Sequence, residues 1–258
     1  MVERKIEVMT ILTPERHQLI LKQVAEYGTV AIQDLIKLTT ASESTIRRDL
    51  SELENQHKLV RIHGGAASRQ TISQELSIPE KTTKNLQEKK RIAAEAAALV
   101  EHDEYIYLDA GTTTLEMIPH LKDKNITVVT NGLTHLDALS AQQITTYLTG
   151  GLVKHKTRAL IGRGAQTGLQ NYRFDKCFIG VNGIDLTYGL TTPDPEEALI
   201  KQQALHSAQQ CFVLADHTKF GQVSFSKIAG LEEALLITNE KDEDILSPYQ
   251  DKTNIKVV

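Results

Sequence analysis

The side chains best suited to chemistry in this sequence are hydroxyl and guanidinium groups at the start of one short predicted helix. They are Ser42, Ser44, Thr45, Arg47 and Arg48. Serine is a common N-cap residue, so Ser42 predicts where the helix begins. Arginine can bind a phosphate or the edge of a guanine, and a helix with such groups at its N-terminal end suits the major groove of DNA. The segment therefore predicts contact with a DNA duplex.

Basic residues recur shortly afterwards, in a segment that is typical of a β-hairpin. Residues 58–62 alternate basic and apolar side chains, and two glycines at positions 64 and 65 can form a tight turn. Lys58, Arg61 and His63 belong to this segment. We expect all three to lie on the same DNA-facing side as the two arginines.

The elements that must position these groups are short helices. Thr13 and Pro14 fit the cap and the first position of a helix, and apolar residues recur at helical spacing in residues 32–38. Three helices followed by a hairpin predict a winged helix-turn-helix domain at residues 1–67. The alternative is a small helical bundle in which the arginines are only solvated surface.

A second set of polar residues follows the predicted strands in the rest of the chain. Short strands alternate with helices from residue 105 onwards, which indicates an α/β domain with a mostly parallel sheet. In such sheets, ligands bind beyond the carboxyl ends of the strands. Five strand ends together predict a binding site made of Asp109, Gly111, Thr112, Thr113, Thr114, Asn131, Gly132, Gly150, Gly151, Asn182, Asp185 and Asp216.

The Gly-Thr-Thr-Thr run at residues 111–114 is the candidate for binding a phosphate. Backbone amides and hydroxyl groups converge where a loop opens a helix, and the helix dipole favours an anion there. Lys201 and Lys219 could add positive charge. No Gly-Lys-Ser or Gly-Lys-Thr follows the run, so the sequence does not favour nucleotide hydrolysis.

The 258 residues are enough for two domains. We expect a linker at residues 68–84, which are rich in Ser, Thr, Gln and Lys, and an effector-binding domain at residues 85–258. The formal net charge is −4, and residues 1–67 contain nine Lys or Arg and nine Asp or Glu. Bulk charge therefore does not predict a nucleic-acid partner, and only the local placement of the basic residues does.

Several classes of protein and site are disfavoured. No apolar run approaches the roughly 18 residues of a transmembrane helix, and the N-terminus lacks the apolar core of a signal peptide, so we expect a cytoplasmic protein with no membrane partner. Cys177 and Cys211 lie in apolar runs, which predicts buried thiols. The nine histidines show no zinc-ligand spacing, so no metal or other cofactor is expected.

The N-terminal segment resembles the helix-turn-helix signature of the DeoR family of bacterial transcription regulators. The matching residues are Arg16, Ile20, Val24, Ser42 and the Thr-Ile-Arg-Arg-Asp-Leu run at 45–50, followed by a wing-like segment at 60–66. The resemblance continues almost to the C-terminus. It implies a second domain that binds a sugar phosphate and is similar to ribose-5-phosphate isomerase, with matches at residues 109–114, 182–185 and 215–220.

The isomerase-like domain makes an enzyme the rival hypothesis. In the isomerase a helical glutamate acts as the base, and counting back from residues 215–216 places that position near Lys201, about a turn after Glu196 and Glu197. A lysine does not take a carbon-bound proton as that carboxylate does. We therefore expect binding without turnover and no catalytic residues, with a phosphosugar isomerase carrying an accessory domain as the alternative.

The resemblance implies a repressor of a sugar-utilisation operon that leaves its operator when a phosphosugar binds. The Thr-Thr-Pro-Asp-Pro-Glu-Glu-Ala run at residues 191–198 looks most like the fructose-operon repressors of the family, which implies fructose 1-phosphate as the effector. Tagatose 6-phosphate, glycerol 3-phosphate and deoxyribose 5-phosphate remain open, as does activation instead of repression. Multiple DNA half-sites imply a homo-oligomer, either a dimer or a tetramer.

Overall fold

The structure, a computed structural model, describes residues 11–27, 29–56, 58–62, 64–68 and 77–258, with only the backbone described at 26, 27, 29 and 62. The chain divides into two compact units, Met1–Ser73 and Gln74–Val258. The segment that we predict to be a linker, residues 68–84, spans this division. Its second half contains a short helix, Ile78–Thr83.

The described residues of the first unit form three helices and a three-stranded antiparallel sheet of order β1-β3-β2. The elements are α1 (Thr13–Tyr27), β1 (Thr29–Ala31), α2 (Ile32–Thr39), α3 (Glu43–Asn55), β2 (Val60–Ile62) and β3 (Gly65–Ala67). The β2–β3 hairpin turns at Gly64, whose φ of 76° lies in the left-handed region that glycine adopts readily. This arrangement is the winged helix-turn-helix that the sequence predicts.

Helix α3 begins where its cap residue predicts. The Ser42 side chain accepts a hydrogen bond from the backbone N–H of Thr45 at 3.2 Å. Along one side of the helix, Ile46, Leu50 and Leu53 are fully buried. Burial of each such side chain stabilises the fold by about 1.5–3 kcal/mol, so the apolar stripe fixes which face of α3 remains outside.

The second unit is built on a seven-stranded sheet in which all neighbouring strands are parallel. In spatial order its strands are β15 (Ile255–Val257), β14 (Leu235–Thr238), β12 (Ala208–Ala215), β9 (Phe174–Gly180), β4 (Tyr105–Leu108), β5 (Thr127–Thr130) and β6 (Thr145–Leu148). On β9, Phe178 joins one buried apolar cluster, while Cys177 and Ile179 join another. Because successive side chains of a strand point to opposite faces, the two clusters cover the two faces of the sheet.

Helices connect most of these strands, which confirms the predicted α/β class. They are α4 (Ile78–Thr83), α5 (Leu86–Ala98), α6 (Thr112–Leu115), α7 (His135–Ala141), α8 (Gly162–Gln170), α9 (Pro195–His206) and α10 (Glu243–Gln250). The helix that the Gly-Thr-Thr-Thr run opens is short. Helix α6 ends at Leu115, and a separate 3-10 segment follows at Ile118–His120. Pro119 lies in that segment and has no backbone N–H to donate to an α-helical ladder.

The sequence did not predict two smaller antiparallel sheets. One is a hairpin of β7 (Leu152–Lys154) and β8 (Ala159–Ile161), and the other joins β10 (Gly183–Asp185), β11 (Gly189–Thr192) and β13 (Ser226–Ala229). Each strand has three or four residues, which is too short for alternation of side chains to stand out. The β7–β8 hairpin carries Thr157 in its turn, and this residue reaches the candidate site described next.

Candidate DNA-binding surface and effector pocket

Most of the predicted DNA-binding residues lie together at the N-terminal end of α3. Ser42, Ser44, Arg47 and Arg48 are exposed, and Thr45 is half-buried. The Ser42 hydroxyl oxygen lies 2.9 Å from that of Ser44 and 2.8 Å from that of Thr45. The end of the helix therefore presents three clustered hydroxyl groups beside two guanidinium groups.

The exposed charges on α3 are held weakly. Arg47 pairs with Glu43, with 2.7 Å between the Arg47 Nη2 and Glu43 Oε1 atoms, and both side chains are more than half exposed. An exposed pair of this kind contributes at most about 1 kcal/mol, so a DNA phosphate can replace the carboxylate at low cost. Lys58, just before the wing, is also exposed.

One predicted residue of the wing, Arg61, is not an exposed charge like those of α3. Arg61 is half-buried, and its Nη1 atom donates to Ser51 Oγ at 2.7 Å, while its backbone N–H donates to Glu54 Oε1 at 2.8 Å. These bonds join the wing strand to α3, so Arg61 also has a structural role within the domain. His63 lies outside the described residues.

A buried ion pair joins α1 to α3. Arg16 and Asp49 form two hydrogen bonds, one of them from Arg16 Nη2 to Asp49 Oδ1 at 3.0 Å, and His17 Nε2 lies 3.3 Å from the same oxygen. Burial raises the pKa of Asp49, but the hydrogen bond and charge of Arg16, with the smaller contribution of His17, outweigh burial and lower it. The ion pair of Asp49 with Arg16 therefore fixes α3 against α1.

The carboxyl ends of β4, β9 and β12 form one wall of a pocket in the second unit, with a cavity volume of about 80 Å³. This is the sheet edge where the sequence predicts a ligand. Eight of the predicted effector-binding residues line it: Asp109, Gly111, Thr112, Thr113, Asn182, Lys201, Asp216 and Lys219.

The structure does not bring the other six predicted residues to the pocket wall: Thr114, Asn131, Gly132, Gly150, Gly151 and Asp185. Some of them support the 109–111 loop from behind. The Thr114 hydroxyl donates to the Asp109 carbonyl at 2.6 Å, and Asn131 Oδ1 accepts from the Ala110 N–H at 2.8 Å. Asp185 instead accepts two backbone hydrogen bonds in the turn of the β10–β11 hairpin.

The pocket also contains residues that the sequence did not assign to effector binding: Ile78, Lys81, Lys89, Ala110, Thr157, Gly180, Val181, Glu197 and Leu214. Lys81 and Lys89 lie on α4 and α5, and no local pattern distinguishes them from the many solvated lysines of surface helices. Glu197, as one of two glutamates near Lys201, was considered only for the rival enzyme.

Three lysines and the Asp216 carboxylate lie close together in the pocket. The buried Lys89 Nζ donates a hydrogen bond to the backbone carbonyl of Lys81, and Lys219 also lines the pocket. Burial lowers the pKa of Lys89, and the positive charges of Lys219 and Lys81 lower it further, against the opposing effect of Asp216. An anion beside Lys89 would oppose this lowering of its pKa.

Two more carboxylates, Asp109 and Glu197, line the pocket near Lys201. Lys201 forms a buried ion pair with Asp109, and Glu197 Oε1 accepts from Thr157 Oγ1 at 2.6 Å and from Lys154 Nζ at 3.1 Å. Burial raises the pKa of Glu197, but Lys201, Thr157 and Lys154 together outweigh burial and lower it. Glu197 is therefore an ionised hydrogen-bond acceptor and a weak base.

Within the described ranges, no group of three or more His, Cys, Asp or Glu residues could hold a metal ion. None of the helices that the structure describes is long and apolar enough to cross a membrane. Both cysteine thiols are free, with Cys177 buried and Cys211 partly buried.

Comparison with known proteins gives matches along nearly the whole chain. Residues 16–72 match the DeoR-like helix-turn-helix domain, and residues 84–240 match the DeoR C terminal sensor domain. The uncharacterized HTH-type transcriptional regulator FruR of Bacillus subtilis (strain 168) is 53% identical over 249 residues, which cover 96% of this chain and 99% of that protein. The lactose phosphotransferase system repressor of Staphylococcus aureus (strain N315) is 34% identical over 249 residues, or 95% and 98% of the two chains.

Among solved structures, ribose 5-phosphate isomerase A from Methanocaldococcus jannaschii aligns with 53% of this chain and 55% of its own, at 18% identity and a TM-score of 0.40. A similarity of this size carries no implication for activity. The relatives named above are transcriptional regulators, and the isomerase hypothesis has no support among them. The chain therefore belongs to the DeoR family of transcriptional regulators, with an N-terminal helix-turn-helix domain and a C-terminal sensor domain.

Proposed function

We propose that this protein represses a sugar-utilisation operon and leaves its operator when fructose 1-phosphate binds the sensor domain. The observation that carries the proposal is a pocket lined by four lysines and by the ionised carboxylate of Glu197. Lys81, Lys89 and Lys219 suit a phosphate, and Glu197 suits the hydroxyl groups of a sugar. The protein would act in the cytoplasm, where bacterial DNA lies.

The phosphate is expected between the lysines and the loop at residues 111–113. Helix α6 has only four residues, so its dipole adds little, and the anion must be attracted mainly by side-chain charge. Lys89 supports this location best, because it is buried and its hydrogen-bond partner is a neutral carbonyl. The hydroxyl groups of Thr112 and Thr113 can donate to the remaining phosphate oxygens.

The sugar hydroxyl groups are expected beside Glu197 and Asn182. An ionised carboxylate accepts hydrogen bonds from hydroxyl groups, and the Asn182 amide can both accept and donate. Glu197 belongs to the 191–198 run on which the choice of fructose 1-phosphate rests, and this residue lines the pocket. Asp109 is neutralised by Lys201, and both residues of this ion pair line the pocket.

At the other end of the chain, we infer that operator DNA contacts the hydroxyl groups and arginines of α3 together with Lys58. Operator half-sites repeat along a duplex, so two copies of the domain are needed to read a pair of them. We therefore propose that the protein is a dimer or a tetramer. Sedimentation equilibrium of the full chain, with and without operator, measures this directly.

A thermal-shift panel tests the effector. Fructose 1-phosphate at about 100 times its Kd should stabilise the sensor domain by roughly 2.7 kcal/mol, which corresponds to an increase in Tm of about 5–10 °C. Fructose, tagatose 6-phosphate, glycerol 3-phosphate and deoxyribose 5-phosphate complete the panel. Stabilisation by another sugar phosphate alone would identify that compound as the effector, and stabilisation by none of them would reject the proposal.

Matched variants locate the site in the same assay. Lys89→Met removes the buried ammonium group from the pocket and should reduce the shift strongly. Lys90→Met removes the neighbouring exposed charge, which does not line the pocket, and should leave the shift unchanged. Equal shifts in both variants would place the phosphate elsewhere.

A further inference from the structure

Helix α4, Ile78–Thr83, precedes the first strand of the sensor domain, and we call it the strap helix. None of its six residues, all of which are described, is fully buried. Its N-terminus is closed by a local capping box, in which the Ser77 backbone N–H donates to Glu80 Oε2 at 2.7 Å. An element without a buried apolar face depends on its polar contacts for its position.

Two of these polar contacts end on residues at the pocket. The backbone N–H of Ile78 donates to the Lys156 carbonyl at 3.2 Å, and Lys156 precedes Thr157, which lines the pocket. The carbonyl of Lys81 accepts from the Lys89 ammonium group. Ile78 and Lys81 line the pocket as well, so the strap helix forms part of its wall.

We propose that the phosphate of the bound effector clamps the strap helix onto the sensor domain, and that this clamp signals occupancy to the DNA-binding domain. The phosphate would be shared by Lys81 on the strap helix and by Lys89 and Lys219 on the domain behind it. This inference rests on the proposed function, because the clamp needs an anionic effector. It adds a ligand-binding residue that the chain supplies from its connecting segment.

Electrostatic attraction explains why a bound phosphate would favour the docked state of the strap helix. Lys81 lines the pocket together with Lys89 and Lys219, and the Asp216 carboxylate offsets part of their positive charge. A phosphate dianion between the three ammonium groups would attract all of them and so favour the docked strap helix. The Lys89 ammonium group already holds the Lys81 carbonyl, so the Lys81 side chain starts beside the position that the phosphate would take.

The position of the strap helix in the chain makes it a route for the signal. The helix begins at Ile78, and the division between the two units falls between Ser73 and Gln74, only a few residues earlier. A change in the docking of this helix therefore acts on the covalent connection to the DNA-binding unit. Effector binding and operator binding are then linked through the population of the clamped state.

Hydrogen–deuterium exchange of the full chain tests the clamp. Two peptides are followed, one covering the strap helix at residues 77–84 and one covering the pocket loop at residues 109–116. The probe is fructose 1-phosphate at ten times its Kd, with inorganic phosphate as a second probe. If the strap helix opens only when the phosphate has left, its exchange should slow about ten-fold.

A pair of lysine variants separates the clamp from binding itself. Lys81→Met is studied at ten times its own Kd, where the loop should be protected but the strap helix should exchange as in the free protein. Lys84→Met removes an exposed charge just after the same helix and outside the pocket wall, so both peptides should behave as in the wild type.

The outcomes distinguish this inference from the proposed function. Protection of both peptides in the wild type, with loss of strap protection only in Lys81→Met, would support the clamp. Protection of the loop without protection of the strap helix in the wild type would overturn the clamp and leave the effector site intact. No protection of either peptide by any phosphate compound would reject the effector site, and the clamp with it.

Discussion

The ion pair between Arg16 and Asp49 is the sharpest place to test how the DNA-binding domain is held together. The two side chains are only 4% and 1% exposed. Asp49→Asn keeps the shape of the side chain but leaves the Arg16 charge buried without its counter-ion. Breaking one partner of a buried pair typically costs about 3–5 kcal/mol.

The lower end of this range applies here for two structural reasons. Arg16 would keep hydrogen bonds to the Ile11 carbonyl at 2.9 Å and to Thr13 Oγ1 at 3.2 Å. The domain is also small, so water lies close to the pair and screens the remaining charge. We therefore expect a loss of about 3 kcal/mol, which is a large part of the stability of a small domain.

Native-state hydrogen exchange of the Ile46 and Leu50 amides in full-length protein measures this loss. A decrease of about 3 kcal/mol in the free energy of opening should speed their exchange roughly 150-fold. Glu43→Gln is the matched control, since it breaks only the exposed pair with Arg47 and should change exchange by a few-fold at most. Exchange in Asp49→Asn within two-fold of the wild type would refute the role of the pair.

Three further predictions concern the pH dependence of stability, the DNA surface and the effector loop. Burial lowers the pKa of His135 to about 4, so stability from its neutral form is complete above pH 6.5 and should fall by about 3 kcal/mol as the pH drops to 4. Urea titrations should show this loss in a His102→Gln control but not in His135→Gln. Arg48→Ala should weaken operator binding and reduce the salt-dependence slope by about one, whereas Lys22→Ala should change neither in anisotropy titrations. Thr113→Val should raise the fructose 1-phosphate concentration needed for operator release about five- to ten-fold, and a normal release curve would remove this hydroxyl from the site.

Local patterns predicted the elements whose determinants are close in sequence. Ser42 caps α3 through Thr45, three residues away, and the alternation of strands and helices follows from short apolar runs. The arginines of α3 are exposed because the buried stripe of the same helix fixes its orientation. Residues that are close together in the sequence are therefore enough to predict these features.

Local sequence patterns did not predict the features that depend on residues far apart in the chain. The buried partner of Asp49 is Arg16, thirty-three positions earlier in the chain. In the pocket, Lys89 and Lys219 come together only after the parallel sheet has formed. Glycine pairs at strand ends looked like ligand loops, but Gly151 is required by close packing, because a Cβ there would lie 2.5 Å from the Ile161 carbonyl oxygen.

The most direct measurement of the central claim is fluorescence anisotropy of a labelled duplex, selected for binding to the full-length protein, during titration with fructose 1-phosphate. We predict that fructose 1-phosphate lowers the anisotropy to that of free DNA, while fructose at the same concentrations leaves the complex intact. A complex that remains fully bound at fructose 1-phosphate concentrations that saturate the protein would contradict the account.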